Sequence, residues 1–193
     1  MHDLEPFYNW RHLYAAEEDE RSPFFGEEHS EFEFIHSIYG YCIHPQWDDM
    51  GSPTLFLKIL FAEYEEGFAV IELLGEWNDC INNDIMFMKR GIIDSLFEQG
   101  ISKFIFIGEN VFNFHFSDES YYEEWAEDSN ERGGWTALLN FRAHVQADFT
   151  GNGIHRYFFL NDPLNHVAWR TFTPLQLFQT VEKIRNSAKV HSA

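Results

Sequence analysis

Two apolar runs, residues 54–64 and 68–74, flank the turn signal Glu65-Glu66-Gly67 and read as a β-hairpin. Upstream, residues 33–43 are rich in β-formers and read as a strand, closed off by Pro45, Asp48, Asp49, Gly51 and Pro53. The period then changes. Ile81, Ile85, Met88, Ile92 and Leu96 recur every three or four positions, which marks an amphipathic helix over 79–99. Asn78 or Asp79 suits its N-cap and Gly100 its C′ position. Residues 103–107 are apolar without alternation, as in a strand covered on both faces. Ser120-Tyr121-Tyr122-Glu123 has capping-box spacing and opens a short helix. After Gly133-Gly134, Leu138, Phe141, Val145 and Phe149 form one stripe and predict a helix over 135–149, ended by Gly151-Asn152-Gly153. Residues 154–160 read as a further strand. Thr173-Pro174-Leu175-Gln176 places a cap, an N1 proline and a capping-box Gln before a last helix that buries Leu177, Phe178, Val181 and Ile184.

The element order is therefore β-β-β-α-β-α-α-β-α. From the third strand onward it alternates, which calls for parallel strands joined by helical crossovers, while the second strand enters antiparallel through its hairpin. The expectation is an α/β fold: a mixed β-sheet with helices packed on it. Residues 1–30 stand apart as an acidic, aromatic arm. Glu17-Glu18-Asp19-Glu20, Ser22-Pro23 and Gly26-Glu27-Glu28 are solvated and broken, yet Phe7, Tyr8, Trp10, Leu13, Tyr14, Phe24 and Phe25 need cover. Trp10, Leu13 and Tyr14 are spaced as on a short helix. The arm is expected to dock on its own body or on a neighbouring subunit, with residues 31–193 as a single domain.

The order of elements over residues 54–187 resembles the STAS fold, the anti-sigma-factor-antagonist type, and Val70-Ile71-Glu72-Leu73-Leu74-Gly75-Glu76 looks like the strand-to-Gly-Glu step of such domains. Regulated members carry a phosphorylated Ser after an Asp beside the second helix. The resemblance therefore points to Ser117 and Thr136, although neither stands in that context.

Composition narrows the function. The chain has 193 residues with 32 acidic and 13 basic side chains, a formal charge of −19, and 18% aromatic residues. That aromatic area supports a packed core, so an acidic disordered chain is not expected. A phosphate backbone would meet mostly carboxylates, so no nucleic-acid partner is expected. No apolar run reaches the length of about 20 residues that spans a bilayer. The first residues lack the basic and apolar regions of a secretory signal, and two cysteines, Cys42 and Cys80, give at most one disulfide. The expectation is a cytoplasmic protein with free thiols and no membrane partner. The acid is uneven: residues 151–193 hold 2 acidic and 5 basic residues, the reverse of the rest.

Candidate chemistry gathers where the strands end. Glu76, Asn78 and Asp79 follow the third strand, Glu109 and Asn110 the next, and Asn161 and Asp162 the last. In an open sheet with these strands parallel, that carboxyl edge is where ligands bind. The seven residues are the candidate ligand-binding set, able to hold a polar metabolite or a hard divalent cation, or simply to cap the following helices. His36, Cys42 and His44 share one face of the first strand, but no third ligand pair completes a zinc motif. No metal site and no cofactor are therefore assigned. There is no nucleophile elbow and no phosphate loop; Gly133-Gly134 and Gly151-Asn152-Gly153 read as breaks. Phe112, Phe114, Phe116, Tyr121, Tyr122 and Trp125 suit a core or an interface. The leading reading is a non-enzymatic binding or regulatory domain for a protein partner or a second copy. The alternative is a small-molecule or cation-binding enzyme or sensor at the strand ends.

Overall fold

A computed structural model of the chain describes residues 3–191 apart from 31, 33 and 35. Its centre is a four-stranded mixed sheet of β4 (Leu55–Glu63), β5 (Phe68–Asn78), β6 (Lys103–His115) and β7 (Trp135–Leu139), in that spatial order. β4 runs antiparallel to β5 through the expected hairpin, and β5, β6 and β7 are parallel. A small sheet combines β1 (Asp3–Leu4), β2 (Ser37–Ile38) and β3 (Tyr41–Ile43) in the order β1-β3-β2. This is the α/β class the sequence pattern implies.

One face of the main sheet is covered by α1 (Asp84–Phe87), a π-helical stretch at Met88–Ile93, α2 (Asp94–Glu98), α3 (Ser120–Glu131) and α4 (Ala143–Gly151). Ile85, Met88, Ile92, Leu96, Tyr122, Trp125, Val145 and Phe149 bury there against Leu57, Ile71, Phe104 and Phe106. Each such side chain removed from water contributes roughly 1.5–3 kcal/mol. On the opposite face α5 (Pro174–His191) lays Leu177, Phe178 and Val181 over Phe68, Val70, Ile105 and Ile107. The small sheet covers the remainder of that face, where Ile38, Ile43 and Trp47 meet Phe56, Leu74 and Phe112.

The arm wraps the edge strand β4. Trp10 packs with Leu60 and Trp169 on the α5 face, and its Nε1 donates to the Phe172 carbonyl at 3.1 Å. Ala16 and Phe24 are buried with Leu57 and Ile59 on the other face. The expected Trp10–Tyr14 helix is a single turn, because Leu13 points outward (52% exposed) and offers the core nothing to hold a longer one. A 3₁₀ turn, Ala16–Glu18, follows.

Five further local expectations change. Of the strand expected at 33–43, residues 33 and 35 lie outside the described residues; the rest is a hairpin, turned at Tyr39-Gly40, where both residues have positive φ. Ile81 is 82% exposed, and the helix starts later, at Asp84. The expected helix at 135–149 is β7 followed by α4, with Asn140 (φ 53) reversing the chain between them. The strand expected at 154–160 is a 3₁₀ turn, Ile154–Arg156, after Gly153 (φ 79), with only a single parallel bridge from Phe159 to Ala137. The Ser120 capping box does not form; Asp118 accepts from the Ser120 amide instead (3.0 Å). The Thr173 box does: its Oγ1 accepts from Gln176 N–H, and Gln176 Oε1 from Thr173 N–H, at 3.3 and 2.9 Å.

Gly75 shows why a glycine interrupts β5. Its φ is +121°, and a Cβ there would stand 2.0 Å from the Thr54 carbonyl oxygen. The β5–β6 register slips between Gly75 and Glu76, which re-aims the end of the strand.

Candidate functional site

The parallel run of β5 and β6 puts Glu76, Asn78, Asp79, Glu109 and Asn110 toward one end of the sheet, where each of the first four is engaged by its own neighbours. Glu76 Oε1 lies 2.8 Å from His115 Nε2. Asn78 Oδ1 accepts from Ile81 N–H at 3.0 Å. Asp79 is buried; its Oδ1 accepts from Trp77 Nε1–H and Ile85 N–H, and its Oδ2 from the Tyr122 hydroxyl at 2.5 Å. Burial outweighs these hydrogen bonds and pushes the Asp79 carboxyl up to about 6. Glu109 accepts from Asn140 Nδ2 (3.0 Å), Trp169 Nε1 (2.9 Å) and the Arg170 guanidinium. Burial alone would raise Glu109, but these donors prevail and hold it below the ordinary range. Asn110 sits in β6 opposite Leu74. Asn161 caps the turn Asp162–His166 by accepting from Leu164 N–H, and Asp162 is exposed, 3.5 Å from His166. No hydrogen bond or ion pair joins Glu76, Glu109 and Asp162 among the described residues.

Between the α5 patch and the small-sheet patch a polar row crosses the sheet. Lys58 on β4 stands opposite Glu72 on β5, between Phe56 and Leu60 on its own strand, and Glu109 continues the row on β6. Glu72 is 1% exposed, accepts from the Phe7 amide at 2.9 Å, and lies 3.8 Å from Arg170. Burial dominates over both and raises its carboxyl to about 7.

At the β4 end the row opens into a cleft of about 260 Å³, lined in part by Glu27, His29, His36, His44, Asp49 and Phe56. Beneath it lies Asp48. Its backbone is pinned to β4 by two hydrogen bonds with Leu57, at 2.8 and 3.3 Å, and its side chain is fully buried. Glu27 and His29 arrive from the arm. One ligating atom each from Glu27, His29 and Asp48 lies within 4.8 Å of the others. His29 Nε2 is 2.9 Å from Asp48 Oδ1. Lys58 Nζ is 2.9 Å from that same oxygen, 3.3 Å from His29 Nε2 and 3.4 Å from Glu17 Oε2. Asp48 Oδ2 is buried without a hydrogen-bond partner. Two carboxylates, Asp48 and Glu17, thus share one ammonium. Burial first, and then the Asp48 charge, raise the Glu27 carboxyl.

This cleft contains two histidines that the sequence singles out, in structural roles. The His36 ring packs on Phe56 (5.0 Å between centroids), and His44 Nδ1 lies 3.1 Å from the Tyr8 hydroxyl and accepts from Gln46 N–H. The residues that converge, Glu27, His29 and Asp48, carry no local motif. Of the hydroxyls suggested by the STAS resemblance, Ser117 is exposed ahead of α3, whereas Thr136 is 3% exposed inside β7. A burial of that kind removes Thr136 from the surface of a helix start. No helix among the described residues is long and apolar enough to cross a membrane.

No protein-family model matches the chain, and no curated protein matches it significantly.

Proposed function

We propose that this chain is a non-enzymatic, regulatory binding domain whose ligand is a divalent transition-metal ion held by Glu27, His29 and Asp48. The observation that carries the reading is the fully buried Asp48 carboxylate, with one oxygen unpartnered, facing an imidazole and a second carboxylate within ligating reach of one another. Burying a carboxylate oxygen without a partner is costly, and a cation removes that cost. One imidazole nitrogen with two carboxylates suits a Zn²⁺-like ion with a fourth position open to the cleft; Ca²⁺ takes six to eight oxygens. Lys58 then keeps Glu17 as its partner. Two ligands come from the arm and one from the loop before β4, so the ion clamps the arm to the sheet, and arm position becomes the regulated quantity.

Titration of the metal-free full chain with Zn²⁺ tests this. One ion is expected to bind per chain. At a hundredfold excess over Kd it adds about 2.7 kcal/mol and raises the unfolding midpoint by about 5–10 °C. Asp48→Asn and His29→Gln are expected to abolish both effects. Absence of heat with an unmoved midpoint in the parent chain refutes the reading.

A separate observation favours a protein contact at the small sheet. Tyr39 is held at φ 48° and is 59% exposed at the hairpin tip, where Asn or Gly would be less strained; Tyr41 stacks on Phe112 beside it, and the Arg142 guanidinium lies 4.6 Å from the centre of the Phe112 ring. A second copy of the chain is the partner in this reading, and loss of dimer in light scattering on Tyr39→Gly is its signature.

A further inference from the structure

Lys58 has charged partners at two cavities. One is the cation cleft, lined by Glu27 and His29. The other is a smaller cavity of about 20 Å³ where the arm meets β4, lined by Arg11, Tyr14, Glu17 and Lys58 itself. A volume of that size holds about one water-sized group, and an ammonium is such a group.

The two sets of contacts differ in closeness. Toward the cleft, Lys58 Nζ is 2.9 Å from Asp48 Oδ1, a full hydrogen bond, and 3.3 Å from His29 Nε2. Toward the arm it is 3.4 Å from Glu17 Oε2, a loose contact, while Arg11 holds Glu17 Oε1 at 3.2 Å. The ammonium therefore stands on the same carboxylate oxygen and the same imidazole nitrogen that a metal ion would use. It also helps to keep Asp48 from water: the Asp48 side chain is fully buried, and Lys58 and His29, its charged neighbours, are nearly so.

We infer that Lys58 is a built-in competitor for the cation site, capping Asp48 in the ion-free chain and passing to Glu17 when an ion enters. This rests on the cation reading of the cleft and adds its regulation. A divalent ion on Asp48 and His29 would bring a double positive charge against the ammonium in a site largely closed to water, where like charges repel strongly. Glu17 offers the displaced ammonium an anionic seat already within reach, so Lys58 exchanges partners and is not left buried without one. Two consequences follow. The ion's affinity is lowered by the ammonium it must displace, which makes the ion releasable. Glu17 belongs to the arm, in the turn Ala16–Glu18, so the exchange tightens a second link between the arm and β4 as the ion forms the first.

The test is calorimetric titration of the metal-free full chain with Zn²⁺, in the parent, Lys58→Met, Glu17→Gln and the double variant. Met keeps the length of the side chain without its charge. Lys58→Met is expected to bind Zn²⁺ about ten- to hundredfold more tightly, the range for one charged hydrogen bond, and Glu17→Gln about tenfold more weakly. In the Lys58→Met background Glu17→Gln is expected to change nothing, since no ammonium then needs the seat; a merely structural role for Glu17 would persist there. Glu17→Gln retains Lys58 on Asp48, so it tests the exchange even if Lys58→Met fails to fold. Equal or weaker binding by Lys58→Met than by the parent overturns the inference and leaves the cation reading in place, as does Glu17→Gln binding as tightly as the parent. Binding by neither the parent nor Lys58→Met overturns both.

Discussion

Replacing Glu72 by Gln is expected to stabilise the protein above neutral pH and to remove part of its pH dependence. The Glu72 carboxyl ordinarily titrates at 4.5 and here at about 7, chiefly through burial. Between those values the unfolded chain ionises this group while the folded chain keeps its proton. The contribution of Glu72 is therefore fully present below pH 4.5 and is lost as pH rises through about 7. At about 1.4 kcal/mol for each factor of ten, the interval corresponds to about 3 kcal/mol, an upper figure since Arg170 relaxes toward the ionised form. For a chain of this length that is about 6–12 °C in unfolding midpoint. Gln retains a carbonyl oxygen for the Phe7 amide, 2.9 Å away in the parent, and gives up only the 3.8 Å approach of Arg170, which still holds Glu109. Asp79 also titrates high, but identically in both proteins, so the difference between the two isolates Glu72. The assay is urea unfolding of parent and variant at intervals from pH 4.5 to 8.5. The stability difference is expected to shift in favour of the variant across that range. Parallel profiles would refute the assignment of the buried proton to this carboxyl.

Two further outcomes follow from local geometry. Gly75→Ala is expected to cost about 1–3 kcal/mol in urea unfolding, because the added carbon meets the Thr54 carbonyl at 2.0 Å and the backbone sits at φ +121°. Thr173→Ala removes the hydroxyl that accepts from Gln176 N–H and is expected to cost about 1 kcal/mol, or about 2–4 °C in midpoint.

Periodicity located the elements whose signals are long. The β4–β5 hairpin, the Ile85–Leu96 stripe and the Thr173 capping box all occur where the side-chain pattern places them. It failed where a short element was embedded in a longer rhythm. Leu138, Phe141, Val145 and Phe149 are all buried in one cluster, as a helical stripe would be, yet the first lies on a five-residue strand. The cue to the break was Asn140, a residue that tolerates φ 53° and whose Nδ2 reaches both Glu109 and the Val167 carbonyl. Glu72 had a signal too: a lone carboxylate within Val70-Ile71-Glu72-Leu73-Leu74, in a strand otherwise buried on both faces. The histidine–carboxylate cleft had none. Glu27 and His29 lie in a broken acidic stretch, Asp48 in a Pro- and Asp-rich loop, and only the wrapping of the arm around β4 brings them together.

That wrapping orders events during synthesis. Phe7 and Trp10 leave the ribosome long before Trp169 and Phe172, the groups they finally rest against. Until residues 169–172 are synthesised the nascent chain therefore holds an uncovered apolar segment at Phe7 and Trp10, a surface that invites aggregation. The acidic stretch Glu17–Glu20 travels beside that segment throughout, a solubilising escort for the interval in which its berth does not yet exist.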